Sequence, residues 1–413
     1  MTINNENKKL NVPNLRFPEF QGEWEKCKLR DVCTFLSGGT PKVDVKEYWN
    51  GTIPFVSAIS MHDTYILDSK LHISEEGLKH GSRLLTKNNL LLLVRGSMLW
   101  NTIPICLNKS DVAFNQDVKG IIANDTINNE FLLYWLKSKE QRLKYMVTGT
   151  GLGAGKLDTS DLLSMIVYIP AMKEQDKVAR LLSLFDERIA TQHKVIDKLQ
   201  SLIKGMEDNL LDNPLWEKTY LRSFMQFFPT NSLSWEQLSY KEGAIRNLHY
   251  GLIHGFQTRG INSASLPMIK NEAVPKQYML CQVGDVAFAD ASEDTGEIAK
   301  SVEFVDTIEG DTICGLHTIH GRDIKNRTVV GFKGFAFNSR YFHDQIKRLA
   351  QGTKVFSITA NNLYSCYVYL PDLDTQTVIV KLLKSYEEQL IIGRMILKQY
   401  EKQKQYLLRQ MFI

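Results

Sequence analysis

The chain has 413 residues, of which 43% are hydrophobic and 23% charged, which is typical of a globular protein and excludes a disordered one. Its length suits two or three domains, and its net charge of +4 neither requires nor excludes a nucleic acid partner. The first residues lack the apolar core of a signal peptide, and the longest aliphatic run, Leu90 to Val94, is too short to cross a bilayer. We therefore expect a cytoplasmic protein with no membrane segment.

Two kinds of pattern alternate along the chain. Short β-branched or aromatic runs, separated by turn clusters such as SGGTP at 37–41, predict short strands. The clearest runs are TIPFVSAI at 52–59, LLLLV at 90–94, DVAFA at 285–289 and TVVGFKGFAF at 328–337. Helical stretches such as residues 128–146 interrupt them without a regular strand–helix–strand rhythm. This pattern predicts mixed α/β domains of the α+β class.

One stretch of the sequence occurs twice. VYIPAMKEQDKVARLLSLFDERI begins at Val167, and VYLPDLDTQTVIVKLLKSYEEQL begins at Val368. The repeat is far longer than the period of a solenoid or propeller, so we expect a duplicated domain-sized unit, a pseudo-twofold internal repeat. Matched residues in the two copies include Tyr168/Tyr369, Pro170/Pro371, Gln175/Gln376, Leu182/Leu383 and Asp186/Glu387.

The alignment of the two units continues towards the amino end with slips in register. Its matched pairs are Gln116/His317, Asp117/Thr318, Gly120/Gly321, Gly151/Gly352 and Leu157/Ile358. Further back, LLLVRGS at 91–97 matches VAFADAS at 286–292, so that Arg95 and Asp290 share one position, and Trp24 matches Trp235. Each unit is therefore predicted to consist of a globular segment, whose sequence differs between the two units, and a helix, whose sequence is more similar in both.

Each repeated helix carries an apolar seam with coiled-coil spacing. The first seam comprises Val178, Leu182, Phe185, Ile189, Ile196, Leu199, Ile203, Met206 and Leu210. The second comprises Ile379, Leu383, Tyr386, Leu390, Leu397, Tyr400, Leu407 and Met411. Gln192 and the equivalent Gly393 interrupt both seams, and Lys404 interrupts the second. Matching seams predict that two long antiparallel helices pack on one another; the alternative is that each packs only on its own domain.

These patterns set the predicted domain boundaries. Pro170 and Pro371 end the strand before each helix, and Glu174, Asp374 and Thr375 suit a first helical turn. The predicted segments are an N-terminal tail at 1–22, a first domain at 23–170, a central spacer helix at 171–211, a linker at 212–232, a second domain at 233–371 and a C-terminal spacer helix at 372–413.

The sequence gives no support for catalysis or for a metal. The six cysteines contain no CxxC pair and no histidine at zinc spacing, so we expect neither a disulfide framework nor a zinc module. GTGLGAGK at 149–156 has Thr150 and Leu157 where a phosphate-binding Walker loop needs Gly and Ser or Thr. DNPLW at 212–216 resembles the adenine-binding loop of amino-methyltransferases, but no cofactor loop accompanies it.

Several segments together resemble the specificity subunits of type I restriction–modification enzymes over essentially the whole chain. They are SGGTPK with the following YW and IPFVS (37–57), FNQDVKG (114–120), GTGLGAGKL (149–157), GDVAFADASED (284–294), GLHTIHGR (315–322) and the repeated YIP and YLP helix starts. One departure is that Thr375 stands where the first helix start has Glu174, and we expect this to affect only capping.

The resemblance implies a subunit without an active site. Two target recognition domains would each read half of a split sequence in double-stranded DNA, and the helices would separate them. Two methyltransferase subunits and the restriction subunits would be the partners, with no membrane involved. S-adenosylmethionine, ATP and Mg would belong to those partners, with no cofactor in this chain. A helix of about 38 residues rises about 57 Å, which suits a ruler for half-sites roughly 34–36 Å apart.

Polar residues on the two domains are the predicted DNA contacts. In the first domain they are Thr40, Lys42, Tyr48, Arg95, Ser97, Asn101, Gln116 and Lys156; in the second they are His249, Tyr250, Asp290, Ser292, Glu293, His317, Thr318 and Lys354. Arg95 suits guanine, Asn101 or Gln116 suits adenine, and Asp290 suits the amino group of cytosine. Lys156 and Lys354 follow glycines in loops that suit backbone phosphates.

Each of these residues has a plainer interpretation. Any of them is equally compatible with an ordinary surface or turn residue, Gln116 with a buried strand-end hydrogen bond, and Asp290 with a loop anchored by an Asx turn. Two other functions also remain open at this point, a solitary DNA adenine methyltransferase and a coiled-coil adaptor that binds no DNA. A purified chain that methylates DNA alone would favour the methyltransferase. A filter-binding assay with a salt titration would separate the adaptor from a DNA reader, because neutralisation of phosphates gives a steep salt dependence.

Overall fold

The chain folds into two compact units. The computed structural model describes residues 10–151, 153–256, 259–306, 308, 310–352 and 354–413. One unit contains the residues up to Gln192 together with Ile396–Ile413, and the other contains His193–Met395. The predicted fold class, two mixed α/β domains with two long helices and an internal repeat, is confirmed.

The first unit combines short strands with four short helices. Its strands are β1 (Glu25–Lys28), β2 (Cys33–Ser37), β3 (Ile53–Val56), β4 (Tyr65–Ile66), β5 (Leu71–Ile73), β6 (Leu84–Leu85), β7 (Leu90–Leu93), β8 (Arg95–Gly96), β9 (Ile105–Asn108), β10 (Val112–Phe114), β11 (Val118–Ala123), β12 (Thr148–Gly149), β13 (Gly155–Lys156) and β14 (Ile166–Ile169). Its helices are α1 (Glu75–Gly81), α2 (Asn129–Ser138), α3 (Glu140–Tyr145) and α4 (Thr159–Ser164). The long helix α5 (Met172–Leu211) begins in this unit and continues into the second.

Two sheets surround the core of the first unit. One has the strand order β2-β11-β7-β9-β4 and the other β5-β3-β10-β6, while β1 pairs with β14 and β8 with the β12-β13 hairpin. All four residues of β7 are fully buried, as are Phe131 to Tyr134 of α2, and both segments belong to one hydrophobic cluster. The continuous apolar run LLLLV is therefore a strand covered on both faces.

The second unit repeats this topology. Its strands are β15 (Glu217–Tyr220), β16 (Met225–Phe228), β17 (Leu238–Ser239), β18 (Ile245–Leu248), β19 (Gly260–Ile261), β20 (Met268–Ile269), β21 (Val286–Ala289), β22 (Ala291–Ser292), β23 (Ser301–Phe304), β24 (Thr312–Cys314), β25 (Thr318–Asp323), β26 (Phe356–Ser357) and β27 (Tyr367–Leu370). Its helices are α6 (Tyr250–Gly255), α7 (Phe332–Ala336), α8 (Arg340–Leu349), α9 (Ala360–Ser365) and the beginning of α10 (Leu373–Gln410). The sheet order β16-β25-β21-β23-β19 corresponds to that of the first unit, and β20-β18-β24 corresponds to β5-β3-β10, but the fourth strand, β17, lies at the opposite edge from β6.

Two local predictions differ from the structure. TVVGFKGFAF at 328–337, predicted as a strand, contains the helix α7, because the buried Glu303 binds Lys333 and the amide of Gly334, both at 2.8 Å. The segment 212–232, assigned to a linker, contains β15 and β16, which pair with β27 and β25. Sequence patterns missed these strands because their partners lie about a hundred or more residues away.

Strand registers correct the alignment of the two units. Glu25 pairs with Ile169 and Glu217 with Leu370, so Trp24 corresponds to Trp216 and not to Trp235. The amide of Leu157 donates to Val94 O, and the equivalent Ile358 donates to Asp290 O. Asp290 therefore takes the place of Val94, and Arg95 corresponds to Ala291.

The same correction applies to the loop before β11 and β25. The amide of Val94 donates to Asp117 O at 2.8 Å, and that of Asp290 donates to His317 O at 3.0 Å. Asp117 thus corresponds to His317, one residue away from the predicted match with Thr318. The prediction that Arg95 and Asp290 occupy equivalent positions in the two units was wrong by one residue.

The glutamine shared by both helix starts has the same buried role in each unit. Gln175 Nε2 donates to Thr126 O and Pro170 O at 3.0 and 2.9 Å, and its Oε1 accepts from Asn128 N. Gln376 makes the corresponding bonds to Arg327 O, Pro371 O and Val329 N. The repeated residue therefore joins the start of each long helix to the loop before α2 or α7.

Glu174 has a larger role than the predicted cap. It is buried, accepts two hydrogen bonds of 2.8 Å from the Arg16 guanidinium and a third from Trp24 Nε1 at 3.3 Å. It thus anchors the N-terminal segment to α5. In α10 the capping residue is Asp372, which accepts from the amide and the hydroxyl of Thr375 at 2.8 Å.

Within the first unit, α5 and α10 run antiparallel. Asp186 of α5 forms an ion pair with Lys404 of α10, and Arg188 lies over the ring of Tyr400 at 5.9 Å. Residues later in α5 therefore contact residues earlier in α10. Tyr134 also donates to Asp186, at 2.7 Å. Lys404, which interrupts the apolar seam of α10, is therefore the ion-pair partner of the nearly buried Asp186 carboxylate.

In the second unit, Arg259 lies between acidic residues of both long helices. Its guanidinium is 3.1 Å from Glu207 of α5 and 3.2 Å from Glu387 of α10. Burial raises the pKa of Glu387 to about 7, because the attraction of Arg259 only partly offsets it and the repulsion of Glu207 adds to it. Two buried carboxylates therefore share one cation.

The first prediction concerns the Glu387→Gln variant. Folding raises the pKa of Glu387 from 4.5 to about 7, so the native state holds a proton that the unfolded chain loses, and stability falls as the pH rises through this window. We expect Glu387→Gln to flatten this slope and to exceed the parent in stability at about pH 8 by on the order of 2 kcal/mol. Urea unfolding at about pH 5 and about pH 8 measures the difference. The exposed neighbour variant Glu388→Gln should keep the parental slope; an unchanged slope in Glu387→Gln would contradict the assignment.

Candidate functional site

Several loops of the first unit meet at one end of its sheets. The amide of Gly39 donates to Phe114 O at 3.0 Å, and that of Arg95 donates to Asp117 O at 3.3 Å. β8 pairs with β13, with Arg95 opposite Lys156. We call the surface that they form the first candidate surface; it comprises residues 37–42, 94–97, 114–117, 148–151 and 153–156.

The two glycines of SGGTP are required by close approach of backbones. A Cβ on Gly38 would lie 2.2 Å from Phe114 O, and one on Gly39 would lie 2.4 Å from Gly81 O. Side chains at these positions would therefore push the loop away from its neighbours. The glycines hold Thr40 against the 114–117 loop.

The structure brings several predicted residues together on the first candidate surface. Thr40 Oγ1 donates to Gln116 Oε1 at 2.7 Å, and both residues are exposed, so Gln116 is not the buried strand-end residue of the plainer interpretation. Arg95 is exposed beside Lys156, whose ammonium group lies 3.5 Å from Asp158. The surface thus offers cations and an amide side by side.

The other predicted residues of this unit lie around these four. Ser97 and Asn101 are exposed at the two ends of the short helix that follows β8. Lys42 is exposed, and Tyr48 is partly exposed and stacks on His80 with ring centroids 5.4 Å apart. These residues add further polar groups beside Thr40, Gln116, Arg95 and Lys156.

Sequence reasoning missed two residues that contact the first candidate surface. Lys119 donates to Ser37 Oγ at 2.6 Å from the strand beside SGGTP, and Trp100 is half-exposed with its indole donating to Gly153 O at 3.0 Å. An exposed tryptophan next to candidate contacts was a usable signal. The position of Lys119 depended on the pairing of β11 with β2.

In the second unit, Asp290, His317 and Tyr250 lie together. His317 Nδ1 is 3.0 Å from Asp290 Oδ1, and the Tyr250 ring meets the His317 ring edge-on with centroids 5.3 Å apart. Burial raises the pKa of the Asp290 carboxyl, and His317 opposes this shift. His317 has φ of 53°, a strained backbone conformation that clusters at functional sites.

Ser292, Glu293 and Lys354 complete the second candidate surface, which also includes Tyr250, Asp290 and His317. Ser292 pairs with Phe356 across β22 and β26 and accepts from the Asp294 amide at 3.1 Å. Glu293 and Lys354 are exposed. Since Ile358 N donates to Asp290 O, the 354–358 loop lies against the Asp290 loop as the hairpin does in the first unit.

Two predicted contacts of the second unit are buried, which contradicts a direct role at the surface. His249 is 2% exposed; its Nδ1 accepts from Gly251 N as the cap of α6, and its ring packs on Trp235. Burial, with a smaller effect of His317, lowers the pKa of His249. Thr318 is 3% exposed and donates to Gly315 O at 2.6 Å.

The two surfaces differ in charge although their backbones correspond. The first exposes Lys42, Arg95 and Lys156, with Lys119 beside them. The second presents one lysine, Lys354, with carboxylates of Asp290 and Glu293 and the imidazole of His317. Similar loops therefore present different donors and acceptors.

The strings that resemble catalytic loops have other roles in the structure. The described residues of GTGLGAGK, 149–151 and 153–156, include parts of the paired strands β12 and β13, Thr150 N donates to Ala154 O, and α4 begins only at Thr159. DNPLW forms a turn after α5, in which Leu215 N and Trp216 N donate to Asn213, and it leads into β15. Neither string has the strand and helix context of a nucleotide or adenine site.

Comparison with known proteins gives one consistent family. Residues 21–201 match the family model described as type I restriction modification DNA specificity domain. The chain is 27% identical to the MjaVIII specificity subunit of Methanocaldococcus jannaschii, over 94% of this chain and 91% of that protein. It is 30% identical to the EcoR124I/EcoR124II specificity subunit of Escherichia coli, over 42% of this chain and 43% of that protein. The predicted family resemblance is confirmed.

Solved structures share the fold. The S subunit of a type I restriction-modification system from M. genitalium superimposes with a TM-score of 0.59 at 15% identity, covering 97% of this chain and 99% of that one. A chain from a solved type I R-M system gives 0.55 at 13% identity, covering 94% and 97%. Among the helices of the described residues, none combines the length and apolarity needed to traverse a bilayer.

Proposed function

We propose, for this member of the type I restriction–modification specificity family, that the chain reads a bipartite DNA sequence, one half with each unit. Specificity subunits are the non-catalytic recognition components of these systems. The observation that carries the proposal is that one loop arrangement is built twice and lined with different polar groups. Two such surfaces suit two different half-sites.

The chemistry of each surface indicates what it would read. On the first surface, Arg95 suits the two acceptors of guanine, Gln116 suits adenine, and Lys42 and Lys156 suit phosphates. On the second surface, the Asp290–His317 pair offers an acceptor and a ring nitrogen, and Glu293 offers another acceptor for cytosine. Lys354 suits a phosphate.

The partners would supply the chemistry. Two methyltransferase subunits and the restriction subunits would assemble on the chain in the cytoplasm, and S-adenosylmethionine, ATP and Mg would be theirs. This chain would contribute the choice of sequence and the scaffold. The solitary methyltransferase and the adaptor without DNA binding are disfavoured by the turn context of DNPLW and by the two exposed polar surfaces.

The second prediction tests DNA binding itself. Each phosphate neutralised by a lysine or arginine contributes about 0.9 to the slope of log K against log salt concentration. We expect the triple variant Lys42→Ala, Arg95→Ala, Lys156→Ala to bind duplex DNA more weakly and with a slope smaller by about two, because two of the three residues would contact phosphates. Filter binding over a salt series measures both quantities.

A matched triple variant provides the control for that experiment. Lys26, Lys28 and Lys173 are exposed lysines of the same unit: the first two lie on β1, which pairs with β14, and the third lies in the first turn of α5. Their replacement by alanine should leave the slope at the parental value. Equal losses in both triple variants would show that general charge, and not the first candidate surface, binds DNA.

The third prediction concerns Arg95 alone. Because a bidentate arginine–guanine contact contributes about 1–3 kcal/mol of discrimination, Arg95→Ala should relax one or two bases in a single half of the methylated sequence. Modified-base sequencing of DNA from cells that carry the variant and the methyltransferase subunit would show this. A motif identical to that of the parent removes Arg95 from the readout, while changes in both halves would contradict separate reading.

The fourth prediction concerns the helices as spacers, which we infer from their 40 and 38 residues. A heptad inserted after Gln192 of α5 and another after Gly393 of α10 keeps both apolar seams in phase. Seven residues add about 10 Å, or about three base pairs, so the unread gap in the methylated sequence should lengthen by about that amount. An active variant with the original gap would contradict the spacer role.

A further inference from the structure

The second unit contains a buried cluster of metal-binding side chains that the sequence prediction did not foresee. Cys281 Sγ and Cys314 Sγ are 3.6 Å apart, and a ring nitrogen of His320 completes a group whose ligand atoms all lie within 4.8 Å of one another. All three residues are buried. They come from the segment before β21, from β24 and from β25, so no short sequence motif joins them.

The strand register keeps the two cysteines from forming an ordinary disulfide. Leu280 pairs with Ile313 in an antiparallel bridge, and Cys281 N donates to Thr312 O at 2.8 Å. Cys281 is therefore opposite Thr312 and diagonal to Cys314, and diagonal Cα atoms are typically about 7–8 Å apart. A disulfide needs Cα atoms closer than about 7 Å and sulfurs about 2 Å apart. The geometry holds the two thiols apart but facing one another.

His320 is held as metal-binding histidines usually are. Its Nε2 donates to Asp285 Oδ2 at 2.7 Å, which leaves the lone pair on Nδ1. Asp285 is itself fixed by the Gln282 amide at 2.8 Å and by two bonds of 2.7 Å from Arg322. A carboxylate behind a histidine orients the ring and fixes its tautomer.

A second observation points to a ligand at this place. Thr312 is 1% exposed, and its Oγ1 finds no hydrogen-bond partner among the described residues. Thr312 and Cys314 are two residues apart on β24, so their side chains project to the same face of the strand. Buried hydroxyls are normally hydrogen-bonded, so this one marks a position where a polar neighbour is expected.

We propose that Cys281, Cys314 and His320 bind a zinc ion that links β24, β25 and the turn before β21. A tetrahedral ion with Zn–S bonds of about 2.3 Å places two sulfurs about 3.8 Å apart, close to the spacing found here. Two thiolates neutralise the dication, and Arg322 neutralises Asp285, so the buried site carries no net charge. Binding releases the two thiol protons to solvent, and the imidazole binds as the neutral base.

The site would stabilise the second candidate surface. β25 begins one residue after His317, and β21 ends one residue before Asp290. An ion that joins β24, β25 and the turn before β21 would restrain β25 close to His317 and, through the turn, the start of the strand that leads to Asp290. The zinc would therefore be structural, and its loss would loosen one unit only.

The test uses the full-length chain purified without chelator. We expect about one zinc per chain by elemental analysis, and we expect Co²⁺ exchanged for it to show a thiolate-to-cobalt charge-transfer absorption. Cys281→Ser and Cys314→Ser should lose both signals. Cys366→Ser, which replaces another buried cysteine of the same unit, should keep both.

A second measurement keeps the proposal testable if a variant folds poorly. Removal of zinc by a chelator should lower the melting temperature of the parent and of Cys366→Ser, and added Zn²⁺ should restore it. Parent protein that neither contains zinc nor shows the charge-transfer absorption on titration with Co²⁺ would overturn the proposal. A Cys281–Cys314 disulfide in freshly purified protein, found by mass spectrometry without reductant, would also overturn it.

Discussion

Both units depend on one buried glutamine at the start of each long helix. Gln175 and Gln376 each satisfy three backbone groups that would otherwise be buried without partners. Leaving a buried polar group unpaired costs about 1–3 kcal/mol, so an apolar residue at this position would leave several such groups unsatisfied. The glutamine thus connects the globular part of a unit to its helix and explains why the repeat preserves it.

The long helices depart from simple apolar packing at charged positions. In the first unit Asp186 binds Lys404 and Tyr134, and in the second the equivalent Glu387 shares Arg259 with Glu207. Buried ion pairs contribute little net stability, but they disfavour alternative registers in which one charge would be left alone. Both units have an acidic side chain at this position, but its partners differ between the units.

The candidate surfaces show how one scaffold presents two chemistries. The order of the five-stranded sheets and the loop hydrogen bonds correspond, while the side chains of the loops do not: the exposed Arg95 stands at the position of Ala291, and Asp290 at the position of the buried Val94. Arg95 tolerates such a change because its side chain is exposed and not part of the core, whereas Val94 is buried in the core of the first unit and Asp290 is only partly buried. The Asp290–His317 pair, with its strained backbone, is the most specialised element of the second surface.

Residue patterns alone predict the duplication, the two long helices, the α+β class and the family resemblance, because each depends on periodic or repeated residues that are local in the chain. They also predict Thr40, Gln116, Arg95 and Lys156 as DNA contacts, and the fold brings Thr40 beside Gln116 and Arg95 beside Lys156. The folded chain was needed for the register between the units, the helix at α7, the burial of His249 and Thr318, and the meeting of Cys281, Cys314 and His320. Each of these depends on which strand lies beside which, and strand pairing across a hundred residues leaves no mark in local sequence patterns.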